Sequence, residues 1–488
     1  MNATAAVSLP SRRRFGFREL RWLAATVFFS MVCAVLIAKG HWYVAVAMLA
    51  AVPMFVWLHR APLAGVAIWL VCTPLIVETS STALRQAFWL LHRALPLGLL
   101  LILVAGAATG VSQRRLARLG WPEVLFAGYA VASLFSILDA SPTVGAQVIL
   151  MYDRVVAPLC IYLVIRLLEP DAEALRRLTP VVLALFVIEA PLGLVSLVAP
   201  GALPSLWLVS AQRATGSFGD PDVFGTTMVF CGVFILWAGM TSSRGRWVRV
   251  WAGAVFVLAM LMVFLTFSRG NWLAGLFVLA GSLVIYRRRI ASLVAITVPI
   301  AALLLASGLL HGPIQFAQER LSSDASKESA LARLPVAVAS IRMFEAKPVT
   351  GFGYGNFDLY SRPFQDQVGD LVIPIKDHAS HNLFLTILAE QGGVGIALFL
   401  GPMVLWAIRT RRSYVRMPAA ERRLLVGLWL VIASYLTVNM FSVMKVPFGL
   451  GLWAVTLGMI GALIHRYGPG PAQREDAAAG AGLPWEAW

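Results

Sequence analysis

The sequence predicts an all-α polytopic membrane protein with about fourteen transmembrane helices, in the range 12–14, and one long loop outside the membrane. Three observations lead to this class: an apolar composition, a series of apolar segments of membrane-spanning length, and an uneven distribution of Lys and Arg. Of the 488 residues, 59% are hydrophobic and 13% are charged, whereas soluble domains carry about 25% charged residues. A composition so poor in charge excludes an ordinary soluble domain.

Fourteen segments approach the length of about 20 mostly apolar residues that a helix needs to cross the hydrocarbon core. Arg12, Arg13 and Arg14 precede the first of them, as in a signal peptide. No small-residue cleavage site follows, so we predict a retained first helix. The predicted spans are 22–38, 42–58, 62–77, 94–109, 121–138, 149–168, 179–199, 223–240, 250–267, 271–286, 290–308, 383–407, 424–441 and 447–464.

The distribution of positive charge predicts the orientation of these spans. Cytoplasmic loops of membrane proteins are enriched in Lys and Arg. With the N-terminus inside, 25 of the 40 Lys and Arg residues fall in interior segments. Both termini are then cytoplasmic, and the net charge of +16 reflects orientation and contact with anionic lipid. We therefore predict membrane lipids, and no nucleic acid, as partners of the basic residues.

This topology gives the predicted order of segments along the chain. Residues 1–21 are a basic cytoplasmic N-terminus, residues 22–308 hold helices 1–11, residues 309–382 form the long exterior loop, residues 383–464 hold helices 12–14, and residues 465–488 are a cytoplasmic tail. The tail is rich in Ala, Gly and Pro, which predicts disorder. The long loop carries seven basic and eight acidic residues, which indicates a folded element of mixed charge.

The long loop is predicted to contain short helices and a glycine-rich turn. Pro335 begins a stretch whose apolar residues recur at helical spacing, and Pro348 follows its end. Three glycines, Gly351, Gly353 and Gly355, then open an irregular polar segment in which the backbone can approach a glycan closely.

The loop ends in Ser380-His381-Asn382, directly before a long apolar run. This places an imidazole at or near the mouth of a membrane helix, where histidine can exchange a proton near neutral pH. We predict His381 as the catalytic residue, and Asn382, His378 and the three glycines as residues that position the loop and the acceptor. Two alternatives stay open: His381 can serve as a helix cap or interface polarity, and His378 competes with it for a catalytic role.

Four arginines lie at exterior span mouths or in exterior loops: Arg154, Arg213, Arg269 and Arg333. An arginine at membrane depth costs about 2.5–3.5 kcal/mol, so it needs a partner or a water-filled cavity. Guanidinium groups bind phosphate oxygens bidentately, and four of them on one face would bind a diphosphate. Arg154 has an alternative partner in the adjacent Asp153, and Arg213 has alternatives in two later acids. Arg269 lies in a short junction without an adjacent acid.

No metal ion and no cofactor are predicted. The four cysteines are isolated within apolar runs and do not form a zinc pattern. Asp220-Pro221-Asp222 is a pair of carboxylates of a kind that can bind a divalent metal with a diphosphate. A turn built around Pro221 is the preferred interpretation of this sequence.

Several of these residues together resemble the signature of the O-antigen ligase and polymerase superfamily. The resemblance covers about residues 330–400, and Ser268-Arg269-Gly270 is a shorter match. The chain departs from the family pattern where Val336 and Val338 replace a tryptophan often found after the loop arginine, and where Pro221-Asp222 replaces Pro-Asn. The matching residues are Arg333, Pro348, Gly351, Gly353, Gly355, Asn356, Phe357, His381, Asn382, Leu383, Glu390 and 392–395.

The resemblance implies a multi-span, GT-C-like inverting glycosyltransferase that uses glycans linked to undecaprenyl diphosphate at the outer face of the bacterial inner membrane. It also implies that no metal is needed. By the same resemblance, Arg269 and Arg333 bind the donor diphosphate and His381 activates the acceptor hydroxyl. We predict that Arg213 and Arg154 belong to the same donor site. The long loop and the active site then face the periplasm.

Two enzymatic functions and one transport function are compatible with this resemblance. A polymerase adds the growing lipid-linked chain to the next lipid-linked repeat unit of O-antigen or exopolysaccharide. A ligase moves the finished chain to lipid A-core or to a protein. Ligases of this family tend to have about twelve spans, so fourteen favour the polymerase. A flippase or transporter for the same lipid-linked glycans is the non-enzymatic alternative, but polar residues clustered at one face favour surface chemistry.

Overall fold

The computed structural model describes residues 53–76, 82–110, 115–204, 213–287, 333–364, 380–444 and 446–468, with isolated positions between 27 and 40 and at 112 and 315. The chain divides into two compact units, residues 1–61 and 62–488. In the first unit, the described helix is Pro53–Arg60. The predicted N-terminal segment 1–21 and residues 469–488 of the predicted tail lie outside the described residues.

Within the described residues, the second unit consists of helices and connecting turns. Proline occupies one of the first two positions of several helices, where its missing N–H removes no intrahelical hydrogen bond. The principal helices are α1 Pro62–Cys72, α2 Arg85–Ala108, α3 Trp121–Ala140, α4 Val144–Leu168, α5 Ala172–Val198, α6 Pro221–Met240, α7 Arg246–Phe264, α8 Arg269–Tyr286, α9 Arg333–Ala346, α10 Leu383–Tyr414, α11 Ala419–Asn439 and α12 Pro447–Arg466.

Nine helices in the described part of the chain are long and apolar enough to cross a membrane. They are α2 to α8, α10 and α12, and each overlaps a predicted span, although α2 begins nine residues before the predicted 94–109. This confirms the all-α polytopic class for the residues that the structure describes. The predicted spans 22–38, 42–58 and 290–308 lie wholly or largely outside those residues.

Two predicted spans have a different form in the structure. The span at 62–77 is the short helix α1 followed by the 3₁₀ turn Pro74–Ile76. The span at 424–441 is the helix α11, which is not among the nine because its first turns add Glu421, Arg422 and Arg423 to the apolar run. The short helix expected after Pro335 is present as α9.

Helices α6 and α12 lie in the middle of the second unit. All of α6 except Asp222 is buried, and α12 is buried from Phe448 to Ile464, as expected of helices that are apolar on every side. α6 contacts α5, α7 and α11, and α12 contacts α4, α10 and α11. Gly451 of α12 permits one of the closest approaches, because a Cβ there would lie 2.2 Å from the ring of Trp69 in α1.

The bundle has two ends that carry different polar groups. One end is named here the glycine-loop end, after the loop that contains Gly351, Gly353 and Gly355. The first residues of α6, α8, α10 and α12 and the last residues of α7 and α11 lie there. There Gly270 of α8 packs against Val438 of α11, and the Asn382 side chain donates to the Met440 carbonyl at 3.1 Å. At the opposite end, named here the Arg166 end, lie the last residues of α4, α6, α10 and α12 and the first residues of α7 and α11.

Candidate functional site

The glycine-rich turn packs into a break in helix α10. Gly392 has a φ of 63°, so the helix is kinked at this residue. Beside the break, the Gly353 N–H donates to the Glu390 carbonyl at 2.7 Å. A Cβ on Gly351 would lie 2.3 Å from the Glu390 carbonyl carbon, so only glycine allows this approach.

The side chain of Glu390 fixes the far part of the same loop. Its buried carboxylate accepts hydrogen bonds from the N–H groups of Gly355 at 2.8 Å and Phe357 at 3.0 Å. The Gly355 carbonyl also accepts a bond from the Gln147 amide of α4 at 3.0 Å. Hydrogen bonds to a charged group are among the stronger ones. The close approach expected of the three glycines is therefore made to the protein's own backbone and to Gln147.

His381 lies at the glycine-loop end, directly before α10. It is half-buried and has a φ of 50°, and strained backbone of this kind clusters at functional sites. The next residue, Asn382, is the helix cap: its side-chain oxygen accepts a hydrogen bond from the Leu385 N–H at 3.0 Å. Asn382, and not His381, therefore caps α10. His378 falls outside the described residues, so its competition with His381 stays a prediction.

The structure brings Arg213 and Arg269 to one turn between α7 and α8. The Arg213 Nε donates to the Thr266 carbonyl at 2.8 Å, and Arg269 is the exposed first residue of α8. In the same turn, the Ser268 hydroxyl donates to the Asp222 carboxylate at 2.6 Å. Two of the arginines predicted to bind a diphosphate thus lie together at the glycine-loop end.

Asp220 and Asp222 are used to begin helix α6. Asp220 is the N-cap, and its carboxylate accepts from the N–H groups of Asp222 at 2.7 Å and Val223 at 3.2 Å. Pro221 is the first helical residue, so the place predicted as a turn is the N-terminus of α6. Burial and the nearby charge of Asp222 raise the pKa of Asp220 to about 6. In the part of the chain that the structure describes, no group of three or more His, Cys, Asp or Glu is arranged to hold a metal ion.

The last turn of α11 connects the arginine turn to His381. Gly270 follows Arg269 directly, and a Cβ on it would lie 3.3 Å from the α11 backbone. Asn382 follows His381 directly, and its amide bonds to the Met440 carbonyl at the end of α11. Arg269 and His381 therefore lie beside the same turn.

Arg333 begins helix α9, which runs in the same direction as the first part of α10. Just beyond the end of α9, the Pro348 carbonyl accepts a hydrogen bond from the Gly393 N–H at 2.7 Å. Near the start of α9, Val336 lies in the same buried cluster as Ala389, which is closer to the start of α10. This order directs Arg333 toward the first residues of α10.

Helix α4 begins at Val144, five residues before the predicted span 149–168, and Arg154 lies inside the helix. Arg154 belongs to a π-helical turn, Tyr152–Val156. The helix continues through these polar residues because Arg93 of α2 donates two hydrogen bonds to the Asp153 carboxylate, at 2.6 and 2.7 Å. The pairing of Arg154 with Asp153, left open by the sequence, is wrong.

Arg154 instead lines a cavity of about 240 Å³ inside the bundle. Ser380 and Leu383, which flank the His381-Asn382 pair, line the same cavity. Arg213 and Arg269 do not line it. The structure therefore places Arg154 near the start of α10 but apart from the arginine turn.

The contacts of two residues that organise this end, Arg93 and Glu390, could not be predicted from the sequence around them. Arg93 lies 60 positions before Asp153, so nothing local to Asp153 indicates that pair. Glu390 is part of the family signature, yet its contact with Gly355, 35 positions away, could not be inferred from spacing. The only available signal was that a carboxylate within an apolar run needs partners.

Comparison with known proteins finds a family whose sequence model matches part of the chain. Residues 254–400 match the model of a family described as O-antigen ligase. The matched segment contains Arg269, Arg333, the glycine series and His381. A search of curated proteins gives no significant match. The similarity of residues 254–400 to this family confirms the resemblance of the chain to the O-antigen ligase superfamily.

Proposed function

We propose that the chain is an inverting glycosyltransferase that takes an undecaprenyl-diphosphate-linked oligosaccharide as donor at the periplasmic face of the inner membrane. The broader statement, a membrane protein of O-antigen ligase type, rests on the match at 254–400 and on the apolar helices. The observation that best supports the proposal is the position of Arg269 and His381 beside the same turn of α11.

In this proposal, Arg213, Arg269 and Arg333 hold the donor diphosphate. During transfer, the bond between sugar C1 and the diphosphate oxygen breaks, and its electron pair stays on that oxygen. Guanidinium groups already in place stabilise this developing charge without reorganising. The diphosphate leaves as an anion that the guanidinium groups bind, so the leaving group needs no separate acid.

His381 acts on the acceptor side of the reaction. Its imidazole takes the proton of the acceptor hydroxyl as the hydroxyl oxygen forms a bond to C1 from the face opposite the diphosphate. Attack from that face inverts the configuration at C1. The hydrogen bonds of Glu390 to the glycine loop and the Asn382 cap hold the first part of α10 in place. They thereby fix the backbone from which the imidazole projects.

The acceptor that we propose first is another lipid-linked repeat unit of O-antigen or exopolysaccharide, which makes the chain a polymerase. The second candidate is a ligase that transfers the lipid-linked glycan to lipid A-core or to a protein. The description of the matched family favours this second candidate. Both use the same donor, the same arginines and the same base, and differ in the acceptor alone.

A reconstituted reaction separates these functions. The purified protein in proteoliposomes receives a lipid-linked repeat unit as sole substrate, with EDTA present to remove divalent metals. We expect a ladder of products spaced by one repeat, which identifies a metal-independent polymerase. A matched reaction with His381→Ala serves as the control for a contaminating activity.

The other outcomes decide between the candidates. Absence of a ladder, followed by transfer once lipid A-core is added, identifies a ligase. Absence of product with either acceptor contradicts the glycosyltransferase. Product that forms only without EDTA contradicts the metal-independent reaction.

A further inference from the structure

The cavity beside Arg154 is lined by both apolar and polar groups. Its walls come from α3, α4, α10, α12 and the glycine loop. On α10 its lining residues lie between Leu383 and Phe399, on both sides of the break at Gly392. Part of the lining is aromatic, and the rings of Phe399 and Trp453 stack with centroids 5.5 Å apart. Arg154 and Ser380 give the other part polar groups.

Arg154 is positioned to receive an anion in this cavity. Its Nε is buried and has no hydrogen-bond partner among the residues that the structure describes. The adjacent Asp153 is occupied by Arg93. Glu390, which also lines the cavity, is occupied by two N–H groups of the glycine loop. The remaining carboxylate in the lining, Asp358, is exposed to solvent at the rim.

The chemistry of the cavity therefore fits a hydrocarbon chain with an anionic head group. The aromatic part of the lining contacts the hydrocarbon chain, because burying apolar surface is favourable. The Arg154 guanidinium binds the phosphate oxygens. The site is separate from the arginine turn. The segment from Val438 to Met444 stands between them: Gly270 packs against Val438 on one side, and Met444 lines the cavity on the other.

We propose that this cavity is a second phosphate-lipid site, distinct from the donor site at Arg213 and Arg269, and that His381 lies between the two. Resting on the proposed function, the second site holds the lipid diphosphate of the acceptor, and the acceptor glycan extends from it so that its hydroxyl reaches the imidazole from the side opposite the donor. This removes Arg154 from the donor site that the sequence predicted. It also gives a polymerase the two lipid sites that its reaction needs.

Binding without turnover tests the proposal. Geranylgeranyl diphosphate is added to the purified protein in detergent, and native mass spectrometry counts the molecules bound. We expect two for the wild type, one for Arg154→Gln, one for Arg269→Gln and none for the double variant. Wild-type stoichiometry in Arg154→Gln overturns the proposal. Because no glycan is transferred, this result is independent of whether the proposed reaction occurs.

A membrane phospholipid carries the same chemistry, so a second arm uses phosphatidylglycerol. Displacement of phosphatidylglycerol by geranylgeranyl diphosphate from the Arg154 site supports the acceptor assignment. Retention of phosphatidylglycerol there against an excess of the isoprenyl diphosphate overturns that assignment and identifies a structural lipid.

A variant in the aromatic part of the lining tests the binding of the hydrocarbon chain and leaves Arg154 unchanged. Ala454 lines the cavity and Ala462 does not, although both are buried in α12. We expect Ala454→Leu to weaken geranylgeranyl diphosphate binding at the Arg154 site about tenfold and to leave inorganic diphosphate binding unchanged. Ala462→Leu is the matched control. Equal effects of Ala454→Leu and Ala462→Leu, or none from either, overturn the assignment of the chain to this cavity.

Discussion

Arg154 and Arg166 lie twelve positions apart on the same helix, α4, and their surroundings are opposite in kind. Arg166 is 1% exposed, lies 3.0 Å from carboxylate oxygens of both Glu123 and Glu169, and is 5.2 Å from the centre of the Trp406 ring. Arg154 has its neighbouring acid taken by another arginine and faces a cavity.

This difference separates an arginine that serves the fold from one that is available to a ligand. Moving an arginine to membrane depth costs about 2.5–3.5 kcal/mol unless it is compensated. At the Arg166 end the protein supplies the compensation itself, and three helices are joined by it. At the glycine-loop end the acids are used for capping, for loop docking and for Arg93, so the positive charge of Arg154 is left facing the cavity.

The largest expected effect tests the chemistry of the glycine-loop end. We expect His381→Ala to lower glycan transfer about 10²–10⁴-fold, because a positioned general base contributes this much, while donor binding persists. Turnover of a lipid-linked repeat unit by purified variants is the measurement. His465→Ala is the control, because His465 pairs with Glu169 at the other end. Near wild-type turnover of His381→Ala would contradict the assignment and make His378 the next candidate.

The second prediction tests the difference between the two arginines by comparing the stability of their alanine variants. Arg166→Ala leaves Glu123 and Glu169 without their guanidinium, and breaking a buried ion pair costs about 3–5 kcal/mol. Arg154→Ala breaks no ion pair that the structure shows, so we expect a loss below about 1 kcal/mol. Thermal unfolding of the two purified variants measures the difference. An equal loss of stability in both would mean that Arg154 is also part of the fold.

The third prediction concerns the donor diphosphate. We expect Arg269→Ala and Arg333→Ala each to weaken binding of undecaprenyl diphosphate conjugates about tenfold or more, because hydrogen bonds to charged groups contribute about 1.5–3 kcal/mol. Arg246→Ala is the matched control: Arg246 is likewise an exposed first helical residue, but at the Arg166 end. Unchanged donor affinity in both test variants would remove the diphosphate site.

The smallest expected effect is a pH dependence at the start of α6. The pKa of Asp220 is raised from its ordinary value of 3.8 to about 6, so ionising this side chain costs folding free energy. Its contribution is most favourable below about pH 4 and declines as the pH rises through about 6. Asn also caps helices but does not ionise. We expect Asp220→Asn to show a smaller fall in melting temperature between about pH 5 and pH 7.5 than the wild type. A parallel fall in both proteins would contradict the raised pKa.

The elements that depend on local sequence could be predicted. Apolar runs predicted spans that overlap α2 to α8 and α10 to α12, and the turn predicted around Pro221 lies where α6 begins. The glycine series and His381 could be singled out because a turn and an imidazole before a long apolar run are local patterns.

The partners of charged groups could not be predicted, because they come from distant helices. The sequence offers Asp153 as a partner of the adjacent Arg154. In the structure, the Asp153 carboxylate instead accepts two hydrogen bonds from Arg93 of α2. The same limit explains the misplaced start of α4. A polar triplet at 152–154 resembles a helix end when read alone, and it becomes a helix interior once Arg93 offsets its acid.

The way the glycine loop is attached has a consequence for how such proteins diversify. The loop is joined to α10 through main-chain groups, through Glu390 and through the buried side chain of Phe357, which packs in one cluster with Ala389. The loop and the segment around Gly392 form one module, and a chimera should exchange residues 348–393 as a whole. Within that module, positions such as Leu359, which is exposed, can vary in sequence while the scaffold stays intact, and new acceptor preferences can arise without a new fold.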